Sequence, residues 1–123
     1  MAWTFSSDKP IFQQLVDIIS TDIVSGKYKP GEKLQPVREL AVTAGVNPNT
    51  MQRALAAIEE AGLIYTKRGD GRYVSEETSV VDRALSEYVG KSVKDFVVAL
   101  KGLGLDGAKI LDAVKKELEG VES

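Results

Sequence analysis

The chain contains no cysteine and no histidine. Without cysteine there is neither a disulfide nor a thiolate metal site, and without histidine the commonest metal ligand and the commonest general base are both missing. The remaining acids and hydroxyls are scattered, with no nucleophile, base and orienting group at related spacings, so the sequence does not read as an enzyme and implies no cofactor and no metal. Long apolar runs are lacking too. No stretch approaches roughly 18 apolar residues, and Met1 to Pro10 is polar and broken by proline, so neither a spanning segment nor a secretory signal is expected and the location is expected to be cytoplasmic. Internal repeats and low-complexity segments are also missing.

The 123 residues, 43% of them hydrophobic, have room for one domain plus an appendage. A formal net charge of −2 is unusual for a chain that meets nucleic acid, but its distribution matters more than its sum. Residues 77–123 carry seven bases against nine acids and so account for the whole deficit, leaving residues 1–76 balanced.

Apolar positions Ile11, Leu15, Ile18, Ile19 and Ile23 recur every three or four residues, which predicts a helix from Ile11 to Ser25, started at Pro10 and ended by Gly26. Pro30-Gly31 makes a turn, and Lys33 and Leu34 are expected as a short strand. A short second helix is expected over Pro36 to Thr43, with proline in its first turn and Val37, Leu40 and Ala41 inward. Gly45 breaks it. Asn47 then caps a third helix with Pro48 at its first position, running to about Ala61 before Gly62.

Leu63 to Arg68 and Arg72 to Val74 read as strands joined by Gly69-Asp70-Gly71, a strong hairpin signal because glycine accepts positive φ. After a polar linker, Ser75 to Ser79, the residues Val81, Leu85, Tyr88, Phe96, Leu100 and Leu103 fall at helical spacing, and Gly90 leaves open whether the helix runs through or is kinked or split there. Gly102-Leu103-Gly104 breaks that helix, and Ile110, Leu111, Val114 and Leu118 form the apolar face of a last one. The fold class expected is mainly α with a small β-hairpin wing: a winged helix-turn-helix domain over residues 1–76 and a two-helix C-terminal dimerisation tail over residues 77–123. A tail of this size closes no core alone, so its stripe is expected to meet the first domain or a second copy through Leu85, Tyr88, Phe96, Leu100, Ile110, Leu111, Val114 and Leu118.

The order helix, turn, helix, hairpin is that of a device for reading double-stranded DNA. If Asn47 is the cap, Asn49, Gln52 and Arg53 share one exposed face, while Met51, Leu55 and Ile58 share the buried one. Arginine can read guanine, and asparagine or glutamine adenine, by paired hydrogen bonds in the major groove. The helix amino terminus offers amide protons and partial positive charge to phosphate near Asn47, Asn49 and Thr50. Arg38 is placed to reach phosphate or a base edge. Lys67, Arg68, Gly69, Gly71 and Arg72 make a basic hairpin with a bare tip that fits in or beside a minor groove. Glu59 and Glu60 lie about 10 Å further along the helix and need not meet phosphate.

Each of these features alone has a plainer reading: a helix start for Asn-Pro-Asn-Thr, a solvated pair for Arg38-Glu39, edge protection for Lys67-Arg68. Their ordered occurrence in one motif favours the functional one.

Residues 10–74, with PIFQQL, SGKYKPGEKL, VRELA, GVNPNT, RAL, EEAGLI and RGDGRYV, resemble the DNA-binding domain of GntR-type transcription regulators. The two-helix tail resembles the short YtrA-like branch, in which the carboxy-terminal helices dimerise and no large effector domain is present. The resemblance implies DNA contacts at Arg38, Asn47, Asn49, Thr50, Gln52, Arg53, Gly69 and Gly71. Where members often have Pro-Ser before the VREL motif, this chain has Gln35-Pro36, so a serine phosphate contact is lost.

The function expected is that of a homodimeric repressor on a two-fold symmetric DNA operator, which the resemblance suggests belongs to its own transporter-containing operon. The alternatives are a winged-helix protein-interaction module without specific DNA binding and, compatibly with the first reading, a switch gated by a small-molecule effector of unknown identity.

Overall fold

Leu15, Ile19 and Ile23 are four residues apart, and helix α1 (Ile11–Val24) turns all three into the interior of the computed structural model, which describes residues 3–122 and, of Glu122, only the backbone. Pro10 caps this helix without a side-chain bond. Gln14 ties down the chain ahead of it instead: its Oε1 accepts the Ser6 amide at 2.7 Å, and its Nε2 donates to the Ser6 and Lys9 carbonyls at 2.8 Å each.

Helix α2 spans Val37–Ala44. Pro36 stands just outside it with ψ 151°, rather than in the first turn as expected, and its carbonyl accepts the Leu40 amide at 3.0 Å. Proline here ends the extended approach to the helix. Gly45 has φ +77°, and its amide and that of Val46 both donate to the Ala41 carbonyl, which turns the chain sharply into α3 (Pro48–Glu60).

Strands β1 (Ile64–Lys67) and β2 (Gly71–Val74) pair antiparallel in the register Ile64 with Val74, Tyr65 with Tyr73, Thr66 with Arg72 and Lys67 with Gly71. The strand expected at Lys33 and Leu34 reduces to one bridge, Lys33 opposite Tyr73, flanked by Leu34 N–H to the Arg72 carbonyl at 2.9 Å and Val74 N–H to the Glu32 carbonyl at 2.8 Å. The core joins Leu15, Ile19 and Ile23 of α1, Leu40 of α2, Met51, Leu55 and Ile58 of α3, and Ile64 and Val74 of the hairpin.

Helix α4 runs unbroken from Thr78 to Gly102, and α5 spans Gly107–Glu122. The helix is not split at Gly90: one glycine costs about 1 kcal/mol relative to alanine, and the helix formers on both sides outweigh it. The linker before α4 is also shorter than expected, because Val80 and Val81 already pack on the core and draw the helix start back to Thr78. Gly104, at φ +89°, ends the turn after α4, and the Asp106 carboxylate caps α5 by accepting the Lys109 amide at 3.0 Å.

The chain divides into two compact units, residues 1–85 and 86–123. In the second unit Ile110 is buried, Leu100 and Val114 are half-buried, and Phe96, Leu111 and Leu118 are exposed. No helix among the described residues is long and apolar enough to cross a membrane.

Candidate nucleic-acid interface

The Asn47 side chain accepts the Asn49 amide at 2.7 Å, so α3 begins where Asn-Pro-Asn implies. The Asn49 amide is thereby engaged by the cap, while the residue itself is exposed. With Met51, Ala54, Leu55 and Ile58 buried against the core, the helix must turn Asn49, Gln52 and Arg53 outward, and all three are exposed.

Within that face the residues differ in what holds them. The Arg53 guanidinium lies 4.8 Å from the centre of the Phe12 ring on α1, a cation–π arrangement that restrains an otherwise mobile side chain. Gln52 projects one residue around the helix from Arg53, and Thr50 is half-buried. Arg38, in the first turn of α2, is exposed.

The hairpin has two faces, because side chains alternate along a strand. On one, Tyr65 and Tyr73 stack with ring centres 5.8 Å apart, and the Lys67 ammonium sits 4.4 Å from the Tyr73 ring. On the other, Thr66 and Arg72 follow the buried pair Ile64 and Val74. Arg72 is thereby turned back toward α3, its Nε 3.6 Å from Glu59 Oε1 and its side chain only 19% exposed. It stands apart from Lys67 and Arg68, which are exposed. The alternation carried that signal: Arg72 lies two residues from Val74 and shares its face.

The tip is a turn closed by Asp70 N–H to the Lys67 carbonyl at 2.9 Å, with Gly69 at φ +78°. Asp70 is the one acid at the tip of a basic wing, and both its oxygens are engaged: Oδ1 by the Lys33 ammonium at 2.8 Å and Oδ2 by the Tyr73 hydroxyl at 2.6 Å. The hydrogen bond from Lys33, followed by that from Tyr73, holds the Asp70 carboxyl below the usual carboxylate range. Reciprocally, the Asp70 contact raises the Lys33 ammonium and the Tyr73 hydroxyl above their usual values. The sequence gives no sign that Lys33, Tyr73, Glu59 and Phe12 support this surface. Their partners lie far along the chain or across the hairpin, where spacing gives no cue.

Among the described residues no group of three or more acids could hold a metal ion. What the surface offers is a polar helix end, an adjacent basic hairpin and Arg38 on the preceding helix, the parts needed to meet base edges and phosphates together.

Comparison with known proteins agrees. The family described as "Bacterial regulatory proteins, gntR family" matches residues 11–74. Among curated proteins the chain is 37% identical to the HTH-type transcriptional regulator YhcF of Bacillus subtilis (strain 168), over 94% of this chain and 96% of that one. It is 32% identical to the HTH-type transcriptional repressor YtrA of the same organism, over 89% of this chain and 85% of that one. Among solved structures a GntR family transcriptional regulator from Listeria monocytogenes superposes with a TM-score of 0.87 at 41% identity, covering 91% of this chain and 98% of that one.

Proposed function

This chain belongs to the GntR family of bacterial regulatory proteins, DNA-binding transcription regulators rather than enzymes, and we propose that it acts in the cytoplasm as a homodimeric repressor of a two-fold symmetric operator. The observation that carries the reading is the outward face of α3, where Asn49, Gln52 and Arg53 stand exposed beside an Asn47-capped amino terminus. Asn49, Gln52 and Arg53 probe base edges in the major groove. Arg38, Asn47 and Thr50 anchor the backbone, and Lys67, Arg68, Gly69 and Gly71 bring the wing to the adjacent minor groove. Arg72 supports the wing from behind.

The dimer is supported by the exposed apolar residues Leu85, Tyr88, Phe96, Leu111 and Leu118, which a second copy would cover together with the half-buried Leu100 and Val114. Ile110 supports that surface from beneath. Two linked reading heads gain effective concentration, which offsets the weakness of one small, charge-balanced head. A repressor role is supported by the likeness to YtrA, which is named a repressor and which the chain matches along most of both lengths. Control of its own operon, with transporter genes, is the target we assign.

Recovery of bound duplexes from a random-sequence pool tests the reading. An enriched inverted repeat is expected. A pool still unenriched after repeated rounds at low salt would instead point to a protein-interaction module.

A further inference from the structure

Glu59 is an acid on the recognition helix, and charge alone would make it a hindrance to binding phosphate. Its contacts point the other way. Its Oε1 accepts the Thr66 hydroxyl at 2.7 Å and faces Arg72 Nε at 3.6 Å, so one carboxylate oxygen holds both strands of the hairpin to the last turn of α3. Arg72 Nε is buried without a hydrogen-bond partner, which makes the carboxylate opposite it the compensation for a desolvated charge.

The position along the hairpin matters. Ile64 and Val74 fasten its base into the core, and the next pair on the same face is Thr66 and Arg72. Beyond the core, the side of the wing that faces α3 is therefore tethered through Glu59, while Lys33 holds the tip through Asp70. Glu60, one residue on, is exposed.

We propose that Glu59 is a positioning residue for duplex binding, setting the wing against α3 so that both meet one stretch of DNA, with Arg72 as its counter-charge. The inference rests on the reading that the wing meets the duplex. Positioning and simple electrostatics predict opposite signs. If Glu59 acted only as a negative charge, Glu59→Gln would tighten binding; as a positioning residue, it weakens it.

The test uses the full chain and a duplex recovered by the wild-type protein from a random-sequence pool. Affinity, its salt dependence and hydroxyl-radical protection are measured for the wild type, Glu59→Gln, Arg72→Met and Glu60→Gln, with thermal unfolding of each alongside. Glu59→Gln and Arg72→Met are expected to bind roughly three- to tenfold more weakly, to lose about one unit from the salt slope, and to lose protection beside the helix-read bases while keeping it over those bases. Glu60→Gln is expected to bind at least as tightly as the wild type. Retained protection over the helix-read bases also shows that a variant is folded. Tighter binding by Glu59→Gln, or an unchanged footprint for both variants, overturns the inference alone. A wild-type footprint with no protection at the wing's position overturns the wing reading and this inference with it.

Discussion

The guanidinium of Arg53 on α3 rests on the ring of Phe12 on α1, 4.8 Å from its centre. A base-reading arginine that is already ordered loses less side-chain entropy on binding, since arginine has among the largest rotamer costs to recover. A residue of the first helix thus supports the exposed face of α3.

Arg53→Ala is expected to lower specific affinity by about 1 to 3 kcal/mol and to relax preference at one base position in each half-site. Phe12→Leu keeps an apolar side chain but removes the ring; a smaller loss of the same kind, restored by Phe12→Tyr, is expected in gel-shift titrations against single-base operator variants. Equal binding by wild type and Arg53→Ala would remove Arg53 from the reading face.

Asn47→Ala removes the side-chain oxygen that accepts the Asn49 amide and is expected to cost about 0.5 to 2 kcal/mol in denaturant unfolding. Asn47→Asp keeps the cap and should leave stability near that of the wild type. It is nonetheless expected to bind duplex more weakly, because it sets a negative charge beside phosphate.

The contact among Asp70, Lys33 and Tyr73 has a defined pH window. The Asp70 carboxyl is depressed, so its share of the contact is present above the ordinary carboxylate range and is lost as pH falls below about 4. The Lys33 and Tyr73 values are raised, so their shares hold at lower pH and are lost as pH rises above about 10. Ring and carboxyl resonances of Tyr73 and Asp70 should therefore stay flat between about pH 5 and 9. An Asp70 midpoint at the ordinary carboxylate value, or a Tyr73 midpoint at the ordinary phenol value, would show that the contact does not form in solution.

Leu111→Asp with Val114→Asp places two charges on the apolar side of α5. The pair is expected to halve the mass measured by light scattering while leaving the first unit folded. An unchanged mass would take these residues out of the interface.

Much of the head was legible because its signals are local. Asn47-Pro48 marks a helix start on its own, the spacing of Met51, Leu55 and Ile58 identifies the buried side, and Gly69 to Gly71 announces the hairpin. The support of the site was not legible. Lys33 meets Asp70 across 37 residues, and Phe12 meets Arg53 across the packing of α1 on α3, so neither pair has a spacing to read. Arg72 adjoins the wing cations in sequence, and strand alternation from Val74 turns it toward Glu59. Gly90 gives an ambiguous local signal: a breaker within a long stretch of helix formers lowers stability without ending the helix.

The central claim is that two copies of this chain read a two-fold symmetric duplex. Sedimentation equilibrium with a selected duplex, and with the same duplex carrying one scrambled half-site, tests it most directly. Two protomers are expected on the intact site, with an affinity at least about tenfold weaker once one half is scrambled, each mismatched base pair costing about 1 to 3 kcal/mol. A single protomer on the intact site, or equal affinity for both duplexes, would contradict it.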